Sequence, residues 1–256
     1  MFLSLISGSS GNASIVSDST TLVLTDCGMS GKKLEEAFSS LGLSCADISA
    51  IMITHEHIDH TRGAGIISRR YNIPVYATKG TFDGAQLGNI PDGNIHYISP
   101  GIDFEIGNIG IRPFSISHDA NDPVGYNYFL NNKKFTVATD MGEITQTAEE
   151  SIIGSDEILL EANHDVDMLM YGTYPFALKK RILSNIGHLS NDSAADACVR
   201  LLKSGTKKIM LGHLSNENNT PPIAYEACKS ALLKSGAKLG DDIELSVADR
   251  YKITRF

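Results

Sequence analysis

The stretch that most constrains this chain is residues 51–63, Ile-Met-Ile-Thr-His-Glu-His-Ile-Asp-His-Thr-Arg-Gly. An apolar run, Ile51 to Ile53, ends at Thr54, and His55, His57, Asp59 and His60 follow within six positions. Alternate residues of an extended segment point the same way, so His55 and His57 can face one ion as the chain leaves a strand. A turn into a helix then carries Asp59 and His60 away from that pair, toward a second ion. Imidazole nitrogen and carboxylate oxygen suit zinc, manganese or iron. One isolated histidine would carry no weight. Three histidines and an aspartate packed this tightly read as a metal site.

Composition bounds what surrounds it. The 256 residues suffice for one large domain or two small ones with a substantial core. With 22 Lys and Arg against 30 Asp and Glu, the net charge is −8, which argues against coating nucleic acid by bulk electrostatics. Local grip on a phosphate stays open. No apolar stretch approaches the ~20 residues that span a bilayer, so no membrane association is expected. Met1 to Ser7 has no basic segment and too short an apolar part for an export signal, and reads as the first strand. Cys27, Cys45, Cys198 and Cys228 lie far apart without a Cys-x-x-Cys pair. Reduced thiols of a cytoplasmic protein are expected, not a disulfide framework or thiolate zinc site.

Along the chain, strands are expected at Phe2–Ile6, Ala13–Val16 and Thr21–Leu24, the first two joined by the turn Ser7-Gly-Ser-Ser-Gly-Asn12. That turn suits a hairpin, and equally a cradle of backbone N–H groups for an anion. Helices are expected over Lys32–Leu41 and Thr61–Tyr71, with a strand at Ile73–Ala77. Gly80 to Pro100 reads as irregular, leaving His96 as a surface residue. Strands resume at Ile102–Ile106 and Ile109–Phe114, then form a hairpin, Tyr126–Leu130 and Lys134–Ala138, through Asn131-Asn132. A helix at 146–154, a strand at Glu157–Glu161 and a helical or irregular stretch from Asp165 to Asn185 follow. The remainder reads as a helix from Asn191, a strand Lys208–Leu211, a helix Pro222–Ser235 and a closing strand Ile243–Val247. This rhythm predicts an α/β layered fold, and no low-complexity linker divides it.

The motif His55-x-His57-x-Asp59-His60 resembles the signature of the metallo-β-lactamase-fold hydrolases. The resemblance implies one domain over 1–256, a four-layer αββα sandwich of two mixed sheets. It also assigns residues that pattern alone leaves open. Asp26, by itself a suitable turn cap, becomes a residue behind the ligands that orients them. His118, ambiguous at a strand end, becomes the third ligand beside His55 and His57. Asp140, by itself a turn residue, becomes the carboxylate between two ions, and His213 completes a second set with Asp59 and His60. The ions are two divalent cations, Zn²⁺ or Mn²⁺.

The long Asp140–His213 interval resembles the ribonuclease-Z-like phosphodiesterase branch. Ser7-Gly-Ser-Ser-Gly-Asn12, Glu161-Ala-Asn-His-Asp165, Tyr174-Pro175 with Leu178-Lys179, and Gly187-His-Leu-Ser-Asn191 resemble the YycJ (WalJ) group within it. That implies a 5′-to-3′ exonuclease on single-stranded or frayed DNA, with a hydroxide held between the ions as nucleophile. Asp59 would also accept a proton, and His188 or His164 would serve the leaving oxygen or a phosphate. Lys179 and Arg181, within the run 179–181, are candidates for a substrate phosphate, or belong to a solvated helix face. The other readings are a phosphodiesterase of small cyclic or nucleotide-like substrates, a thioester or lactam hydrolase of the glyoxalase type, and a non-catalytic metal module. Oligomeric state is not legible.

Overall fold

Strands covered on both faces read as unbroken apolar runs, and Ala50–Met52 is such a strand, with all three residues buried. The computed structural model describes residues 1–256. The first half supplies β1 (Phe2–Ile6), β2 (Ala13–Ser17), β3 (Leu22–Thr25), α1 (Gly31–Ser40), β4 (Ala50–Met52), α2 (Ile58–Thr61), α3 (Ala64–Tyr71), β5 (Val75–Ala77), α4 (Lys79–Gly84) and β6 (Ile95–Tyr97). Then come β7 (Phe104–Ile106), β8 (Ile109–Ser115), β9 (Val124–Leu130), β10 (Lys133–Ala138), α5 (Gln146–Ile152) and β11 (Glu157–Glu161). The chain closes with α6 (Val166–Tyr171), α7 (Phe176–Ile182), α8 (Asn191–Lys203), β12 (Lys208–Gly212), α9 (Pro221–Lys234), β13 (Glu244–Val247) and β14 (Thr254–Arg255).

Two seven-stranded sheets result, in the orders β14-β1-β2-β3-β4-β5-β6 and β13-β12-β11-β10-β9-β8-β7. Each is antiparallel on one side and parallel on the other: β3 to β6 run parallel in the first, β10 to β13 in the second. One apolar cluster, including Val23, Met52, Tyr126 and Leu159, lies between the sheets. A second packs the first sheet against α1 and α3 through Leu34, Phe38 and Ile67, and a third packs the second sheet against α5, α8 and α9. These are the four layers αββα of the metallo-β-lactamase fold. Helix α8 has the apolar face its spacing predicts, with Ala194, Ala195, Ala197, Cys198 and Leu201 buried and Ser190 capping its start. Asn131 and Asn132 both take left-handed backbone, φ 53° and 59°, as a two-residue hairpin demands.

Some expectations give way. The helix expected over Thr61–Tyr71 is broken at Arg62–Gly63, because Gly63 lies too close to the Met29 carbonyl and Cys27 Sγ for a side chain. The irregular stretch from Gly80 to Pro100 contains β6, and His96 is half-buried there with its ring stacked 4.5 Å from that of Tyr76. The strands expected from Ile73 and Ile102 begin only at Val75 and Phe104. The Ser7–Asn12 turn does join a hairpin, but the N–H groups of Ser7, Gly8, Gly11 and Asn12 already bond Asp249 O, Asn12 Oδ1, Gly8 O and Asp59 O. That leaves little of an anion cradle. All four cysteines are free and buried, and no helix is long and apolar enough to cross a membrane.

Candidate metal centre

In open parallel sheets, functional residues gather beyond the carboxyl ends of the strands. Here Asp26 follows β3, the 54–60 segment follows β4, Asp140 follows β10, Glu161 ends β11 and His213 follows β12. Asp26, Asp140 and His213 each turn out of their strands through left-handed backbone, at φ 59°, 60° and 53°. Aspartate and histidine tolerate that region better than most side chains.

His55 Nε2 lies 3.0 Å from His57 Nδ1, and His118 Nε2 lies 3.3 Å from the same atom. Beside them, His60 Nε2 is 3.5 Å from Asp59 Oδ2, and His213 Nε2 is 3.7 Å from that oxygen. Asp140 reaches both groups, with Oδ2 3.3 Å from His60 Nε2 and Oδ1 3.9 Å from His118 Nε2. Within each trio the donor atoms lie within 4.8 Å of one another. The sequence-predicted ligands His55, His57, Asp59, His60, His118, Asp140 and His213 are thus brought together. Asp140 Oδ2 and His213 Nε2 are buried without a hydrogen-bond partner. Buried polar atoms without partners are costly, and two of them among converging nitrogens and carboxylates are the donor chemistry divalent cations take. The residues fit the ions that the fold implies.

Except at His57, the far nitrogens of these imidazoles are held as metal ligands require. His60 Nδ1 donates to Asp26 Oδ2 at 2.7 Å, and the same carboxylate accepts from the Thr54 backbone N–H at 2.9 Å. His55 Nδ1 lies 3.0 Å from Thr54 Oγ1, and His118 Nδ1 donates to the Gly187 carbonyl at 3.1 Å. His213 Nδ1 lies 2.9 Å from Glu161 Oε1. These partners fix which nitrogen faces the centre.

Glu161 is one of two residues that the sequence pattern does not single out. It is fully buried, and its Oε1 also bonds His188 Nδ1 at 2.8 Å while Oε2 accepts from the Met141 N–H at 2.6 Å. Burial pushes this carboxyl up, but the charges and hydrogen bonds of His188 and His213 outweigh it and hold the acid well below the usual range. Its signal was present: an acid closing a parallel strand, where the other site residues also stand. Burial opposes charge on His213 too, yet Asp140, Asp59 and Glu161 push its pKa up to about 10. Asn12 was also missed. Its Nδ2 lies 3.1 Å from His60 Nε2, and its backbone N–H donates to Asp59 O.

The remaining sequence-predicted residues are placed as follows. His188 stands against Glu161 with Nε2 free of protein partners. His164 joins none of the ligand groups: it is buried, neither ring nitrogen has a partner, and burial lowers its pKa to about 4. Lys179 Nζ donates to Met170 O and Gly172 O, each at 2.7 Å, and Arg181 pairs with Asp119 beside His118. Both cations therefore already have partners within the protein.

Gly28 sets the spacing of the centre. A Cβ there would meet Asp59 O at 1.6 Å and Asn12 N at 2.5 Å. Gly28→Ala is expected to cost about 3 kcal/mol, near the upper end of overpacking penalties. Thermal denaturation and metal content by elemental analysis will show it as a lower midpoint together with loss of bound ion.

A site of one all-histidine trio and one trio of two histidines and an aspartate, with a shared carboxylate between them on the αββα sandwich, defines a class. Residues 21–213 match the family described as the beta-lactamase superfamily domain, and the chain belongs to it as a hydrolase of the metallo-β-lactamase fold. It is 38% identical over 250 residues to the exodeoxyribonuclease YycJ of Bacillus anthracis, spanning 97% of this chain and 95% of that one. It is likewise 38% identical over 245 residues to the exodeoxyribonuclease WalJ of Streptococcus pneumoniae strain D39, spanning 94% and 91%. The metallo-β-lactamase-fold protein YhfI of Bacillus subtilis superposes with a TM-score of 0.71 over 99% of this chain and 98% of its own, at 13% identity, a likeness of fold.

Proposed function

We propose that the protein is a dinuclear metal-dependent exodeoxyribonuclease that removes nucleotides from the 5′ end of single-stranded or frayed DNA in the cytoplasm. The observation that carries the reading is Asp140, within 3.3 Å of His60 in one trio and 3.9 Å of His118 in the other. A carboxylate shared in this way suits two ions and not a closed structural site. The two exodeoxyribonucleases, matched over nearly their whole length, support DNA as the substrate.

His55, His57 and His118, and Asp59, His60 and His213, with Asp140 between them, would hold divalent cations, Zn²⁺ or Mn²⁺, which would supply Lewis acidity and a more acidic water at neutral pH. The protein's own groups do the rest. Asp59, half-buried at the rim of its trio, accepts the proton of the attacking water. Water adds to phosphorus, the bond to the 3′ oxygen breaks, and the phosphate stays on the 5′ end of the shortened strand. His188, oriented through Nδ1 by Glu161, delivers a proton from Nε2 to the departing 3′ oxygen. His164, buried with neither ring nitrogen partnered, is the alternative histidine for the leaving oxygen or a phosphate.

Strands labelled at either terminus, with Mn²⁺ or Zn²⁺ added, test this directly. The 5′ label is expected to appear first as mononucleotide, and Asp59→Asn to abolish its release. Release from the 3′ label first would reverse the polarity. Cleavage of bis-p-nitrophenyl phosphate without any release from DNA would move the reading to small phosphodiesters.

A further inference from the structure

Beside the metal centre, on the side of the first sheet, lies a cavity of about 770 Å³, within the range of roughly 300–1,000 Å³ that ligand clefts occupy. Its floor is apolar, with Leu5, Ile6, Met29 and Ile253, and its rim carries Lys33, Arg62, Arg250 and Lys252 against one acid, Glu36. None of those four cations is in an ion pair, while Glu36 already faces Lys32 at 3.9 Å. In a chain of net charge −8 this is a local reversal of sign. Tyr251, also on the rim, is 73% exposed.

The cavity is tied to the centre by the backbone. Gly28 lines it and packs on Asp59 O, Arg62 follows His60 by two residues, and Arg62 Nη1 donates to Ser10 O at 3.3 Å. Arg250 Nη2 donates to Leu214 O, next to His213, at 2.6 Å. The Ser7 N–H donates to Asp249 O, and Ser7 Oγ accepts from the His213 N–H at 2.8 Å. His188 and Glu161, by contrast, come from the second half of the chain, on the side of the second sheet.

We infer that this cavity binds the DNA strand on the 3′ side of the cleaved phosphate, holding its backbone phosphates on the four cations. The inference rests on the nuclease reading above and adds the path of the substrate. Hydrolysis from the 5′ end breaks the bond to the 3′ oxygen of the terminal nucleotide and leaves the phosphate on the retained strand. The terminal nucleotide therefore lies toward His188, which protonates its oxygen, and the retained strand lies on the opposite side. That side carries Lys33, Arg62, Arg250 and Lys252, four cations with no acidic partner. Cationic rims track phosphates, an apolar floor accepts sugars and base faces, and an exposed tyrosine offers a stacking surface. Because the phosphate made by each cut stays on the bound strand, the cavity would retain the substrate between cuts.

The test is the paired variant Lys33→Glu, Lys252→Glu in the full, metal-loaded chain. Both side chains are exposed and make no protein hydrogen bond that their replacement would break. Labelled single-stranded DNA binding is read by fluorescence anisotropy across a salt series, and bis-p-nitrophenyl phosphate hydrolysis is followed alongside. The expected result is a Kd raised at least about tenfold and a salt slope smaller by about one for each phosphate no longer held. Hydrolysis of the small diester should stay unchanged, and Lys33→Gln, Lys252→Gln should give an intermediate Kd. An unchanged Kd and slope in the Glu pair overturns the inference, as does loss of small-diester turnover with DNA binding intact. Wild-type protein that cleaves the small diester but neither binds nor degrades DNA overturns the nuclease reading itself, and this one with it.

Discussion

Asp140→Asn is expected to lower phosphodiester hydrolysis by about a thousandfold, the loss of about 4 kcal/mol of transition-state stabilisation. The amide keeps the shape of the carboxylate, and asparagine accepts left-handed backbone as readily as aspartate, so the φ of 60° is no obstacle to folding. What changes is charge. One of the two contacts, to His60 Nε2 or to His118 Nε2, must now be made by an NH₂ group, which cannot ligate a cation. Elemental analysis should find about one ion fewer per chain while the far-ultraviolet circular dichroism stays as in the wild type. Full activity with a complete complement of ions in this variant would remove Asp140 from the centre.

Stripping the ions with a chelator is expected to abolish hydrolysis and to lower the thermal midpoint by about 10 °C. At a free metal concentration about a thousand times Kd, binding contributes about 4 kcal/mol, and each kcal/mol moves a chain of this size by about 2–4 °C. The effect should shrink as pH falls. Without ions, Asp140, Asp59 and Glu161 outweigh the burial of His213 and push its pKa up to about 10, and His60 is raised well above its ordinary value by Asp140, Asp26 and Asp59. The metal-free state thus holds protons that binding must release, so lower pH weakens binding. Calorimetric scans with and without chelator at several pH values measure both terms. A midpoint indifferent to the chelator would mean that these residues form a network that is stable without metal.

The heart of the site was legible because His55, His57, Asp59 and His60 fall within one turn of chain, where local geometry decides who faces whom. His118, Asp140 and His213 needed the resemblance, since each is one polar residue after an ordinary strand. Glu161 escaped for a different reason. It ends the strand Glu-Ile-Leu-Leu-Glu, where a terminal acid ordinarily faces water, and only the neighbouring parallel strands bury it beside His188 and His213. Asn12 looked like a turn residue and is one, but its turn folds back on Asp59 and His60. The misplaced elements have equally local causes. Strands β6 and β14 have three and two residues, too few for a period to show, and the break between α2 and α3 comes from tertiary crowding at Gly63.

The left-handed backbone at Asp26, Asp140 and His213 puts the fold and its chemistry in opposition. Non-glycine residues in that region cost of order 1–3 kcal/mol each, and here three of them cluster at one end of the sandwich, where carboxylates and imidazoles are also forced together. Net stability is about 5–15 kcal/mol for a whole domain, so strain at these three exits is of the same order as what holds the entire chain folded.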